Sequence, residues 1–236
     1  MSPPLAATVG PSTYWYLTRA TGTMALILLT LSVVLGVIDV ERYTTPRTPR
    51  FVIDRTHRTV SLLAVAFLVV HIVTAALDSF ASIALIDAVV PFAGTYRPFW
   101  LGLGAASFDL VLAVVITSLA RRRLGYRAWR VTHWLAYASW PIALLHGLGT
   151  GSDIKTTWMI AISAACLAAV LLAVCVRVTS GLRGQVGLRA AVLGLVVCFA
   201  GGTALWLPSG PLGAGWARRS GTPTSLLRPA VSRNPR

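Results

Sequence analysis

The chain holds four histidines, and their spacing pairs them. His57 and His71 are fourteen residues apart in THRTVSLLAVAFLVVHI, and His133 and His146 are thirteen apart in VTHWLAYASWPIALLHG. Both stretches are apolar enough to cross a bilayer. At the helical rise, each pair is separated by roughly 20 Å, which puts one imidazole near each face of the membrane. An ionisable group inside a span is expensive and by default marks function. A metal or haem iron held by two imidazoles removes the cost, because the metal satisfies each nitrogen. A single histidine on a membrane helix would serve as readily as an interhelical hydrogen-bond donor. Four histidines in two matched pairs, with none elsewhere, favour metal or haem. No CxxCH attachment motif is present, which suits a non-covalent b-type haem. Cys166, Cys175 and Cys198 all lie in apolar segments and read as small packing residues.

Positioning these groups requires membrane helices. Of the 236 residues, 56% are hydrophobic and 12% are charged, about half the charged content of a soluble domain. Hydropathy places six spans, at 17–40, 58–77, 101–120, 131–149, 156–177 and 189–207. The expected architecture is an all-α integral membrane protein of six transmembrane helices, with a four-helix bundle around two stacked b-type haems. A net charge of +14 could suggest nucleic acid, but the positives sit in short loops, so no nucleic-acid partner is expected. Thirteen of them fall on one side: Arg42, Arg47, Arg50, Arg55 and Arg58; Arg121, Arg122, Arg123, Arg127 and Arg130; Arg177, Arg183 and Arg189. By the positive-inside rule that side is the cytoplasm, and the N-terminus is outside. Residues 1–13 read as an extracytoplasmic tail without the basic region of a signal peptide. Residues 208–236, rich in Pro, Gly and Ser with five arginines, read as a disordered basic tail.

In this topology His57 aligns in depth with His133, and His71 with His146. Fourteen residues return to within about 40° of the same helix face, whereas thirteen land about 140° away. Pro141, between His133 and His146, is expected to kink the fourth span and relieve that mismatch.

The spacing H-x13-H then H-x12-H, the HG after the last histidine, and the run Trp129, Arg130, His133, Tyr137 resemble the ferric reductase-like transmembrane domain. That family includes ferric reductases, NADPH oxidases and the bacterial haem subunit of the methionine-sulfoxide-reductase system. The stretches RPFWLGLGA and RRRLGYRAWRVTHWLAYASWPIALLHGLGTG are similar to its stand-alone actinobacterial-type members, and the resemblance spans residues 14–178. It implies two bis-histidine b-type haems, ligated by His57 with His133 and by His71 with His146, and electron transfer across a bacterial plasma membrane. Residues 179–207, a loop and sixth span, lie beyond it. The oxidases continue into a flavin and NADPH domain, whereas this chain has no glycine-rich nucleotide fingerprint. Flavin or NAD(P)H would therefore act only through a separate donor, a flavoprotein or quinol, with an extracytoplasmic acceptor such as ferric iron, a flavoprotein or a repair reductase. The oxidases also carry a histidine four residues after the outer ligand of the first pair; here that position is Ala75, which weakens a superoxide-producing reading.

Arg19, matching an arginine of the oxidases, is placed to hold an outer-haem propionate or an acceptor anion, or simply to snorkel to the interface. Arg130, with Arg55 and Arg58, borders the inner histidines and could hold inner propionates; for most loop arginines the positive-inside signal suffices. Asp109 could serve an outer ligand histidine or carry a proton, or it pairs with Arg97 or stays protonated and bonds a neighbouring helix. Tyr137 reads as a core aromatic. Two other functions fit four intramembrane histidines: a transporter for metal ions or protons, and a structural subunit. A transporter predicts histidines converging at one depth, which their spacing opposes.

Overall fold

The computed structural model describes residues 12–41, 49–81, 83–181 and 185–227. Every extended element among them is helical. α1 (Thr13–Val40), α2 (Arg50–Leu77) and α3 (Pro98–Leu119) are followed by α4 (Arg121–His133) and α5 (Leu135–Thr150). α6 (Thr157–Gly181) and α7 (Val186–Ser209) precede two single-turn helices, α8 (Trp216–Arg219) and α9 (Thr224–Leu227). Five of these, α1, α2, α3, α6 and α7, are long and apolar enough to cross a membrane. The protein is thus a multi-pass membrane protein, and its spans begin and end within a few residues of the hydropathy runs, except that α2 starts eight residues earlier. Among the described residues between α2 and α3 the one regular element is a 3-10 turn at Leu85–Ala88, in keeping with a surface rather than a crossing segment.

The expected fourth span, 131–149, is not one helix. It divides at Trp134 into the end of α4 and the 16-residue α5. Pro141 lies inside α5, so the discontinuity between the histidines falls at Trp134 and not at the proline. The amide of Trp134 bonds to the carbonyl of Val131, and that of Tyr137 to Trp134, both three-residue steps. Each such 3-10 step turns the chain about 20° further than an α step. The two tight steps just after His133 therefore recover about 40° of the roughly 140° deficit that thirteen residues leave.

Polar side chains join the bundle where no hydrophobic effect operates between helices. The Thr18 hydroxyl donates to Thr74 at 3.0 Å and Ser32 meets Ser61 at 2.7 Å, fastening α1 to α2 at two levels. Ser107 of α3 donates to the Ser139 carbonyl of α5 at 2.9 Å, and Trp140 Nε1 of α5 donates to Thr30 of α1 at 2.9 Å. Trp140 and Leu144 are among the most deeply buried side chains, in a core shared with Leu26, Cys166 and Val170. At the opposite end from α3's start, Arg177 of α6 pairs with Glu41 at the end of α1, 2.8 Å apart.

The tail departs from its composition. Residues 209–227 are packed against the bundle, with Ser220 and Thr222 buried and Trp216 donating to the Gly149 carbonyl at 3.0 Å. Arg97, expected as a possible partner of Asp109, is 8% exposed and bonds instead to Gly149, Thr150 and Thr222. These bonds satisfy carbonyls left open at the end of α5 and tie the tail down, which a Pro/Gly-rich composition does not reveal. The expectations for residues 1–11, 42–48, 182–184 and 228–236, including Arg42, Arg47 and Arg183, lie outside the described residues.

Candidate functional site

Two helix pairs carry the histidines. His57 and His71 stand on α2, against α1; His146 stands on α5, against α3; His133 ends α4. The rings meet in twos: His57 and His133 have centroids 6.4 Å apart, and His71 and His146 6.3 Å apart. Both pairings are those that the depth alignment anticipates.

Three of the imidazoles are seated by one local device. His71 Nδ1 lies 2.8 Å from the Thr18 carbonyl, His57 Nδ1 3.0 Å from that of Ser32, and His146 Nδ1 2.8 Å from that of Trp100. In each case the residue four positions on is glycine: Gly22, Gly36 and Gly104. A Cβ on Gly22 would lie 2.8 Å from His71, and one on Gly104 2.5 Å from His146; at Gly36 it would be 3.4 Å from His57. The missing side chain lets the ring reach a helix carbonyl one turn earlier. A carbonyl only accepts, so the proton is on Nδ1, and Nε2 presents a lone pair away from the supporting helix. Metal-ligating histidines are oriented in this way.

His133 is the exception. Its Nδ1 is buried without a hydrogen-bond partner. Fourteen residues beyond Gly104, where the α1 pattern would place another glycine, α3 has Ser118, whose hydroxyl accepts from Trp129 Nε1 at 3.2 Å. Trp129 packs on the His133 ring at 4.9 Å, and the Arg121 guanidinium covers Trp129 at 4.2 Å. The inner pair thus has one histidine docked on a carbonyl and one held by aromatic packing.

The outer pair opens into a cavity of about 510 Å³ lined by His71, His146, Gly22, Gly104, Arg19 and Asp153, among others. Arg19 forms an ion pair with Asp153 and stacks over Trp15 at 3.7 Å, leaving its Nε buried and unpartnered. It is therefore bound into the cavity wall and not only snorkelling. Asp109 is half-buried, and Arg97 does not pair with it, being engaged with Gly149, Thr150 and Thr222. Arg130 is exposed on α4 and, among the described residues, has no hydrogen-bond partner. No group of three or more His, Cys, Asp or Glu residues that could hold a metal ion occurs among the described residues. The available donor set is two imidazoles per level, too few for a closed four-ligand metal site and the right number for the axial positions of a haem.

The profile of the ferric reductase like transmembrane component family matches residues 21–144. The chain belongs to this family. Its matched residues include His57, His71 and His133, with His146 two positions beyond. Domains of this family generally bind haem, and the chain is accordingly a membrane oxidoreductase component. Neither a curated protein nor a solved structure matches it.

The docking glycines were the residues that sequence reasoning missed, and a signal for them exists. Thr18-x-x-x-Gly22 and Ser32-x-x-x-Gly36 repeat at fourteen residues, the same interval as His57 and His71.

Proposed function

We propose that the protein is a six-span, di-haem membrane cytochrome b that carries electrons from a cytoplasmic-side donor to an extracytoplasmic acceptor. The observation that carries this reading is the meeting of the histidines in two facing pairs at two levels. With nitrogen–metal bonds of about 2.0–2.1 Å, rings on opposite sides of one metal ion have centroids roughly 6 Å apart. The separations of 6.4 and 6.3 Å fit that spacing at both levels.

When bound, the two b-type haems would supply one-electron carriers at two depths. The chain's part is to hold and to exclude. His57 and His133 would hold the inner haem, and His71 and His146 the outer one. The carbonyls of Ser32, Thr18 and Trp100 orient three of those rings and fix which nitrogen carries the proton. The apolar spans keep water and ions from the path between the levels. Arg19, already facing the outer cavity with a free Nε, is suited to a propionate or an anionic acceptor. Arg130 would lie one turn from His133 on the inner side. The fourth crossing in this reading is α5 together with the end of α4. The run of thirteen basic residues that the sequence assigns to the loops of one side supports a cytoplasmic side there, in a bacterial plasma membrane. In this reading the donor is a separate flavoprotein or quinol and the acceptor a separate extracytoplasmic molecule.

The test is vectorial. Purified protein reconstituted in liposomes with ferricyanide trapped inside is treated outside with impermeant dithionite. We expect the trapped ferricyanide to be bleached by the native protein and not by a His71→Ala, His146→Ala variant. Bleaching at the protein-free rate would contradict transmembrane electron transfer.

A further inference from the structure

The last part of the described chain lies far beyond the family-matched residues 21–144, yet it forms part of the outer cavity. Ala217, Thr222, Leu226 and Leu227 line the same 510 Å³ space as His71 and His146. Their attachment is specific. The Arg97 side chain donates from Nε to the Thr222 hydroxyl at 3.0 Å, and from a terminal nitrogen to the Gly149 and Thr150 carbonyls at 3.0 and 3.1 Å. Its amide bonds the Gly221 carbonyl at 3.1 Å. Gly221 has a φ of +90°, and a Cβ there would come to 3.0 Å of Pro98, so this crossing requires glycine. Arg97 itself is left-handed at φ 42°, a conformation that needs surrounding contacts to hold it.

A second fastening is aromatic. Trp216 packs against Trp100 at 5.3 Å and Trp206 at 5.6 Å, and Trp100 stacks on Trp206 at 4.9 Å with 21° between planes. Trp216 also donates to the Gly149 carbonyl. Gly149 is glycine because a Cβ there would clash with the Trp100 ring. The Trp100 carbonyl, in turn, receives His146 Nδ1. The tail is thus joined to the residue that seats an outer histidine.

Resting on the reading that electrons leave through the outer cavity, we propose that residues 216–227 are its outer wall and set the size of the acceptor that reaches it. Arg97 and Thr222 are the clasp. A buried guanidinium whose bonds run to α5 and to the tail at once holds the wall closed, so small acceptors enter and bulky chelates or proteins do not. Arg97 and Thr222 are positioning residues and have no part in the redox step itself.

The experiment uses full-length haem-loaded protein, reduced with dithionite and mixed with dioxygen or with ferric cytochrome c. The native protein should be reoxidised much faster by dioxygen. Thr222→Val removes a hydrogen bond to a charged donor, an effect of the order that shifts an open–closed equilibrium about tenfold. The cytochrome c rate should therefore rise about tenfold relative to the dioxygen rate, with the haem spectrum unchanged. Thr222→Ser, which keeps the hydroxyl, should restore the native ratio. A second arm is independent of haem. Ala75→Cys on the cavity wall, in a background without the native cysteines, should react faster with a bulky charged maleimide when Thr222→Val is added. Equal native rates for the two acceptors, a ratio unmoved by Thr222→Val, or unchanged labelling would each overturn the wall. A protein without haem would instead sink the electron-transfer reading, and the labelling arm would still decide the wall.

Discussion

An imidazole that lies against a helix carbonyl needs the turn in between to be bare. Gly22, Gly36 and Gly104 provide this for His71, His57 and His146. The tightest of the three is Gly104, where a Cβ would sit 2.5 Å from both Cε1 and Nδ1 of His146. Overpacking of this kind costs about 1–3 kcal/mol. Gly104→Ala should therefore release haem from the outer site and leave the inner one loaded, halving the haem per chain. Retention of both with an unaltered spectrum would show that His146 does not depend on this seat. His133 behaves differently because no carbonyl orients it: Ser118 stands where a fourth glycine would be, and Nδ1 is buried without a partner. A less firmly oriented ligand gives a weaker site, since loss of such an outer partner typically costs about 10–100-fold in affinity. Incubation with excess apomyoglobin should thus withdraw the inner haem first, leaving the spectrum of a His57→Ala protein. Withdrawal of both haems at one rate would contradict this asymmetry.

At the scale of elements, the spans were legible from apolar runs, and α1, α3, α6 and α7 were placed with ends within about a turn. α2 was begun too late because Arg55 and Arg58 read as loop, although a helix entering a basic interface accommodates arginines on its first turns. The break at Trp134 was not legible. A few three-residue hydrogen bonds leave no compositional mark, whereas Pro141 carries an obvious one and yet sits inside α5. The docking glycines were legible in principle, through the repeat in α1, but glycines are common in membrane helices and do not announce a partner. At the inner end, the pair between Glu41 and Arg177 links α1 to α6 at 2.8 Å, with both side chains largely buried. Arg177→Ala should destabilise the detergent-solubilised protein by about 2 kcal/mol, the scale of a hydrogen bond to a charged group. The check is a lower thermal midpoint with haem content per folded chain unchanged; a native midpoint would mean the pair contributes nothing.

The whole molecule is two helix pairs that each present histidines to the other, closed on one side by α6 and at the outer end by a tail. Four histidines among 236 residues carried the pairing because they have no competitors, and the two facing separations agree to 0.1 Å between levels. The tail escaped sequence reading because its order comes from a few distant partners, Arg97 and Trp100 above all, rather than from any periodicity of its own. The central claim is two haems per chain, one held by each depth-matched pair. Haem should be quantified as the pyridine haemochrome on the purified native protein and on four single His→Ala variants. The account predicts about two b-type haems per native chain, with His57→Ala and His133→Ala losing the same one and His71→Ala and His146→Ala losing the other. A native protein without haem, or variants whose losses do not pair in this way, would contradict it.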